Sequence, residues 1–301
     1  MHMSLTKELS NPSSPVSKWF AKKYHKGVEY IIYNHNKVMS QSSTITPVEG
    51  TNFSLVGNAI TYAFHKFIAS KQQNKYWLDN TLAGKTLTRL NLANLNKLCC
   101  VNSKSSEEEA FKMLLLGAFE GYYRSYKPDT IIQPFFKGDG RNFKVSEEYI
   151  AQWRPSIDDV SNISAALPKV WCSIEHLINI EKSVVSNATF GLSSILHADC
   201  QMVIDSTIID IRTTAKRQPF TLNNFYQQIA YLLYDTENVY KINQLAWVYT
   251  RQQVAFSYQI DQLFKNLEAT RADFKEMIAT NYHENRIKKH ILQNQNSLIQ
   301  L

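Results

Sequence analysis

The chain has 301 residues, 44% of them hydrophobic and 20% charged, a usage that excludes a wholly disordered protein and leaves enough length for one large or two modest domains. Its longest apolar run, Met113–Phe119, is too short to cross a bilayer, and the first residues lack the basic and apolar regions of a secretory signal, so a cytoplasmic protein outside the membrane is expected. Thirty-three Lys and Arg against 26 Asp and Glu give a net charge of +7, which favours an anionic partner such as nucleic acid without naming one.

Pro15-Val16-Ser17 opens a short amphipathic helix over 18–24 whose apolar side is Trp19, Phe20 and Tyr24. The Ser/Thr-rich stretch 40–47 reads as a connection. Leu55, Ala59, Tyr62, Ala63 and Phe67 predict a helix over 53–69, and Leu87, Leu90, Leu95 and Leu98 continue helical spacing with Leu92 off that face. Ser106 ahead of Glu107-Glu108-Glu109 caps a further helix, with acids in the first turn where the helix dipole favours them. That helix carries Met113, Leu116, Phe119, Glu120, Tyr123 and Arg124. The chain loosens from Lys127 to Gly140, and helical material resumes over 146–153 and 167–180. From Ala198 the pattern turns β-rich: two short runs, a helix at about 222–234, then runs at 244–250 and 253–260. A last amphipathic helix uses Ile260, Leu263, Phe264, Leu267 and Phe274, before a polar tail.

Several chemistries find no footing. Cys99, Cys100, Cys172 and Cys200 show no CxxC spacing and read as free thiols in a reducing compartment. Nine glycines form no phosphate loop, the histidines form no HExxH pair, and no G-x-S-x-G elbow occurs. The basic runs 18–26 and 286–290 offer at most nonspecific, salt-sensitive contacts to a phosphate backbone.

The informative stretch is A-D-C-Q-M-V-I-D-S-T-I-I-D-I-R-T-T at 198–214. With Asp205-Ser206 as a two-residue turn, Ile204 faces Thr207, Met202 faces Ile209 and Cys200 faces Ile211, which makes one face of the hairpin apolar. The other face then carries Asp199, Gln201 and Val203 with Ile208, Asp210 and Arg212, and Asp199 lies across from Arg212. Asp199 and Asp210 are oxygen donors suited to Mg²⁺ or Mn²⁺, the Ile211 carbonyl is a further candidate ligand, and Arg212 is placed for a phosphate or a water. A cross-strand Asp199–Arg212 ion pair with Asp210 solvated fits the same residues. His197, two residues before Asp199, reads as a loop histidine. Gln227 and Tyr231, four apart, share a helix face.

Asp199, then D-I-R at 210–212, then Q-x-x-x-Y at 227–231 resembles the PD-(D/E)XK nuclease superfamily, specifically its RecB-like exonuclease branch. The order of strand, strand, helix and strand fits that family's core. Further words, S-L-V-G-N-A-I-T-Y at 54–62, A-F-E-G-Y-Y-R at 118–124 and N-A-T-F at 187–190, are similar to uncharacterised bacterial proteins with this core. The resemblance implies a further carboxylate from an upstream helix, with Glu120 the first candidate and Glu175 the second, and a supporting role for Gln227 and Tyr231. It implies Mg²⁺ or Mn²⁺ at Asp199, Asp210, Glu120 and the Ile211 carbonyl. Its third motif position is arginine here, not lysine. Arginine clamps phosphate but does not give up a proton at neutral pH, and Lys216 lies four residues on.

The expected architecture is α/β: a mixed central sheet of four or five strands flanked by helices, with a mostly helical N-terminal half. The expected division is a helical region over 1–105, a nuclease-like core over 106–258 with a helical insertion at about 127–190, and a helix and tail over 259–301. The expected function is metal-dependent hydrolysis of DNA, with RNA left open, in the repair, restriction or anti-phage defence that the resemblance implies. Partners in that setting are a helicase or another defence component. The alternatives are a silent DNA-binding or scaffold subunit, and an interaction protein that dimerises through its 260–278 helix.

Overall fold

The computed structural model describes residues 4–101, 103–136, 146–179 and 181–282. Gly138–Gly140, the basic run 286–290 and nearly all of the polar tail lie outside these residues.

The N-terminal half supplies α1 (Leu5–Ser10), α2 (Pro15–Gln41), α3 (Phe53–Lys71), α4 (Leu82–Arg89), α5 (Ala93–Cys100) and α6 (Ser106–Ser125). There follow α7 (Glu147–Ala151), α8 (Arg154–Ala165) and α9 (Leu167–Cys172). The sheet is built from β1 (Val184–Thr189), β2 (Asp199–Ile204), β3 (Thr207–Arg212), β4 (Gln244–Tyr249) and β5 (Val254–Gln259), with α10 (Leu222–Tyr234) between β3 and β4. Two helices close the described chain, α11 (Ile260–Leu263) and α12 (Leu267–Asn281).

The strands lie side by side in chain order. β1, β2 and β3 form an antiparallel meander, β3 and β4 are parallel with α10 as the crossover, and β5 returns antiparallel to β4. β4 is buried along its whole length, as a strand covered on both faces must be. One sheet face presents Met202, Ile204, Ile209, Ile211, Ala246 and Val248 to α3, α4, α5, α6, α8 and α9. The other presents Val203, Ile208, Leu245, Trp247 and Tyr249 to α1, α2, α10 and α12. The result is a three-layer α/β/α arrangement, in which the helices of 1–105 divide between the two faces rather than standing apart.

Local chemistry accounts for the elements that carry the site. Ser105 caps α6 by accepting from the Glu108 amide, and the helix is buried from Ala110 to Glu120 because α3, α4 and α8 pack around it. A methyl added at Gly117 would stand 2.9 Å from the Ala59 amide nitrogen, so glycine there lets α3 and α6 approach closely. Thr221 and Asn224 form a capping box at the start of α10.

The structure differs from the periodicity in several places. α2 runs to Gln41, α8 appears over a stretch of Ser, Asp and Asn, and β1 falls where a helical insertion was expected. The leucine pattern at 87–98 is two helices broken at Leu90–Leu92, and the C-terminal helix is broken after Leu263. Phe264, Phe274 and Ile278 are buried against α2 and α10 of the same chain. The apolar side expected at a dimer contact therefore closes the protein's own core.

Two polar ties hold the layers. Arg251, beyond β4, donates to Asp159 of α8 at 2.9 and 2.5 Å, with both side chains fully buried. The Tyr282 hydroxyl, after α12, donates to the buried Glu8 carboxylate of α1.

Candidate functional site

The β2–β3 hairpin turns at Asp205-Ser206, with Asp205 at φ 54°. Its backbone register matches the expected pairing as far as Met202 opposite Ile209. Beyond that point the strands part. The Gln201 side chain takes the place of a backbone peptide: its Oε1 accepts from the Ile211 amide at 2.5 Å and its Nε2 donates to the Ile211 carbonyl at 3.3 Å. On the other side of β2, Asn187 adopts φ 49° and uses its Oδ1 to accept from the Leu82 amide at 3.1 Å.

These distortions reverse the strand's alternation between Met202 and Cys200. Met202 packs on the α3 side, and Gln201 also reaches that side, at 3.4 Å from Thr61 Oγ1. Cys200 packs on the α10 side. Two expectations are corrected here. Cys200 does not share a face with Met202, Ile204, Ile209 and Ile211, and Asp199 does not pair with Arg212.

Asp199 instead meets α6. Arg124 Nη1 and Nη2 donate to the two Asp199 oxygens at 2.9 and 2.7 Å. The same guanidinium donates from Nε and Nη2 to Glu120 Oε1 at 3.0 and 2.8 Å. Glu120 and Asp199 side chains are 11% and 6% exposed, while Arg124 is 42% exposed. The acids are thus held inside and the cation reaches in from solvent. Burial opposes the charge on Arg124, but its bonds to Asp199 and the two neighbouring carboxylates outweigh that and push its pKa up. Burial and the adjacent Glu120 raise the phenol of Tyr62, on α3, well above its ordinary value, and Tyr62 accepts from the Ala83 amide at 3.0 Å.

Asp210 stands in a second group, on the α10 side. Arg212 Nε donates to Asp210 Oδ2 at 2.6 Å, and its Nη2 donates to Gln227 Oε1 at 3.1 Å. Gln227 Nε2 then donates to the Tyr231 hydroxyl at 2.7 Å. Burial opposes the Arg212 charge, and Asp210 more than restores it. Tyr231 is raised by burial and by the nearby Cys200, Asp210 and Asp199, and burial with the same two aspartates raises Cys200. Cys200 and Tyr231 therefore both feel the two aspartates. Together the groups hold Glu120, Asp199 and Asp210 against Arg124 and Arg212.

The remaining candidates sort plainly. Glu175 is exposed on a 3-10 turn, and Lys216 is exposed beyond β3. His197 is exposed, with Nδ1 3.8 Å from Asp199. Its carbonyl accepts from the Leu5 amide at 3.0 Å, where Ser4 forms a parallel bridge with it. Thr6 Oγ1 lies 3.4 Å from Gln227 Nε2, so α1 borders the second group. The Ile211 carbonyl, expected as a metal ligand, is engaged by Gln201. Arg124 was visible in sequence only as a partner of Glu120 one turn away, and Gln201 only as a polar residue inside an apolar strand.

Comparison with family models, curated proteins and solved structures found no match.

Among the described residues no three of His, Cys, Asp and Glu converge to hold a metal ion by themselves. Two carboxylates nevertheless converge on one cation, because Arg124 Nη2 lies within 2.8 Å of both Glu120 and Asp199. A guanidinium nitrogen between two carboxylate oxygens marks a position that a hard, oxygen-seeking ion also suits. Arg124, which occupies it, is 42% exposed. Glu120 and Asp199 are the side chains that would hold such an ion, while Asp210 is bonded to Arg212 in the second group.

Proposed function

We propose that the chain is a divalent-metal-dependent nuclease acting on DNA phosphodiesters, with Glu120, Asp199 and Asp210 as its carboxylates. The observation that carries this reading is the meeting of Glu120 from α6 and Asp199 from the splayed end of β2 on one cationic nitrogen, beside Asp210 and Arg212. The succession β2, β3, α10, β4 agrees with the order that the PD-(D/E)XK resemblance implies.

A bound Mg²⁺ or Mn²⁺ supplies a Lewis acid and a coordinated water of lowered pKa. The protein's own contribution is charge and position. Arg212 is locked by Asp210 on one side and by Gln227 on the other, and Tyr231 in turn fixes Gln227. Its planar fork is therefore preorganised for a phosphate oxygen. Arg124, on the solvent side of the acids, spends its donors on Glu120 and Asp199 and balances their charge.

The test is cleavage of linear, circular and single-stranded DNA in Mg²⁺ and in Mn²⁺ by the wild type, Asp210→Ala and Arg212→Lys. Metal-dependent products that disappear in Asp210→Ala support the nuclease. One feature favours a second reading, a DNA-binding subunit without cleavage: each acid is already paired with an arginine, and the third motif position is Arg212. Salt-sensitive DNA binding in all three proteins with no hydrolysis by any of them would establish that reading instead.

A further inference from the structure

The end of α6 that carries Glu120 and Arg124 also carries three tyrosines, and α4 places a guanidinium among them. Arg89 lies 5.9, 5.8 and 5.5 Å from the ring centroids of Tyr122, Tyr123 and Tyr126. Tyr122 is anchored against Phe136, with centroids 4.7 Å apart, whereas Tyr126 is 68% exposed. Packing within the chain accounts for the first ring and leaves the last one open to solvent. Tyr126 also caps α6 at φ 55°, a backbone region that glycine or asparagine enters more readily than an aromatic residue. Lys85, exposed one turn before Arg89 on α4, adds a second cation to this face.

We propose that Arg89, Tyr122, Tyr123 and Tyr126 form a stacking platform for the bases of single-stranded nucleic acid. Every base presents a π-face, so rings and guanidinium planes accept bases of any sequence, while nearby cations follow the backbone. Tyr123 directly precedes Arg124 and Tyr126 follows it by two residues, so the platform and the Glu120–Arg124–Asp199 group share the C-terminal end of α6. The inference rests on the nuclease reading for its choice of ligand, and it narrows that reading to an unpaired strand beside the acids.

The test is fluorescence anisotropy in EDTA, where no metal-dependent cleavage occurs, using a labelled single-stranded oligonucleotide and an abasic oligonucleotide of equal length. Tyr126→Asn removes the ring while suiting the left-handed backbone, and Tyr126→Phe keeps the ring; circular dichroism verifies that both fold. Wild type and Tyr126→Phe are expected to prefer the base-bearing strand, and Tyr126→Asn to bind it roughly 5- to 150-fold more weakly, the span of one lost base–aromatic stack. Equal affinity of the wild type for both oligonucleotides, or unchanged binding by Tyr126→Asn, overturns the platform. Cleavage lost in Asp210→Ala alongside unchanged binding by Tyr126→Asn removes the platform and keeps the nuclease. Base-dependent binding by a wild type that cleaves nothing keeps the platform and removes the nuclease.

Discussion

Gln201 pairs with Ile211 as a peptide group would, accepting from its amide and donating to its carbonyl. A side-chain amide reaches further than a backbone one, so β2 can leave β3 here without orphaning the Ile211 polar groups. That departure turns Asp199 toward α6. Gln201→Ala should destabilise the fold by about 1–3 kcal/mol, the cost of unsatisfied buried backbone groups, read as a lower midpoint in urea at unchanged slope. Metal-dependent cleavage should fall as well, because Asp199 loses the strand geometry that aims it.

Arg124 neutralises two carboxylates that have little other solvation. Arg124→Ala should lower the melting temperature in EDTA, since Glu120 and Asp199 then repel each other. Added Mn²⁺ should raise the variant's melting temperature by more than the wild type's, because the ion no longer competes with a guanidinium. An equal or smaller Mn²⁺ shift in the variant would argue against an ion site between these acids.

Two buried histidines set an acid limit on stability. His35 is stacked between Phe220 and Phe256, at centroid distances of 4.3 and 3.7 Å, and burial pushes its pKa down to about 3. His65 lies 3.0 Å from Ser186 Oγ, and burial pushes it down to about 4. Both take up protons near the ordinary value of 6.5 only when the chain unfolds. The stability they contribute is present above about pH 6.5 and is lost progressively as the pH falls from there toward their folded values of about 4 and 3. Near pH 5 the combined slope should approach about 2 kcal/mol per pH unit. Urea midpoints across this range test it, and His35→Phe should remove close to half of the slope.

The buried Arg251–Asp159 pair ties α8 to the end of β4. Asp159→Ala leaves a charged guanidinium without its partner and should cost about 3–5 kcal/mol. Replacing both residues with apolar ones of similar volume should cost much less. A double-mutant cycle on thermal unfolding separates the two outcomes.

Much of this molecule was legible in the sequence because its signals are local. The alternation in 202–209, the Q-x-x-x-Y spacing and the run of acids after Ser106 each speak of their own element, and the hairpin register as far as Met202 opposite Ile209 follows from them. What escaped depends on contacts between distant segments. Helix α8 has Ser, Asp and Asn where strong helix formers would announce it, and Ile157, Val160 and Ile163 declare its buried face only once α3 and α6 are in place. The partner of Asp199 was misassigned because alternation assumes a continuous ladder, and a glutamine side chain substituting for backbone leaves no periodic trace. Glu120 is implied by the resemblance, but the Arg124 that joins it to Asp199 lies 75 positions from Asp199, and that contact has no sequence signal.

The backbone bridge between Ser4 and His197 bears on how the protein is handled at the bench. His197 lies two residues before Asp199 with its Nδ1 3.8 Å away, and Thr6 lies 3.4 Å from Gln227, so the start of α1 borders both charged groups. A purification handle or reporter fused ahead of Ser4 is attached beside the acids rather than at a remote surface. Comparing activity and DNA binding with and without such a handle tests whether that end of the chain matters to the site.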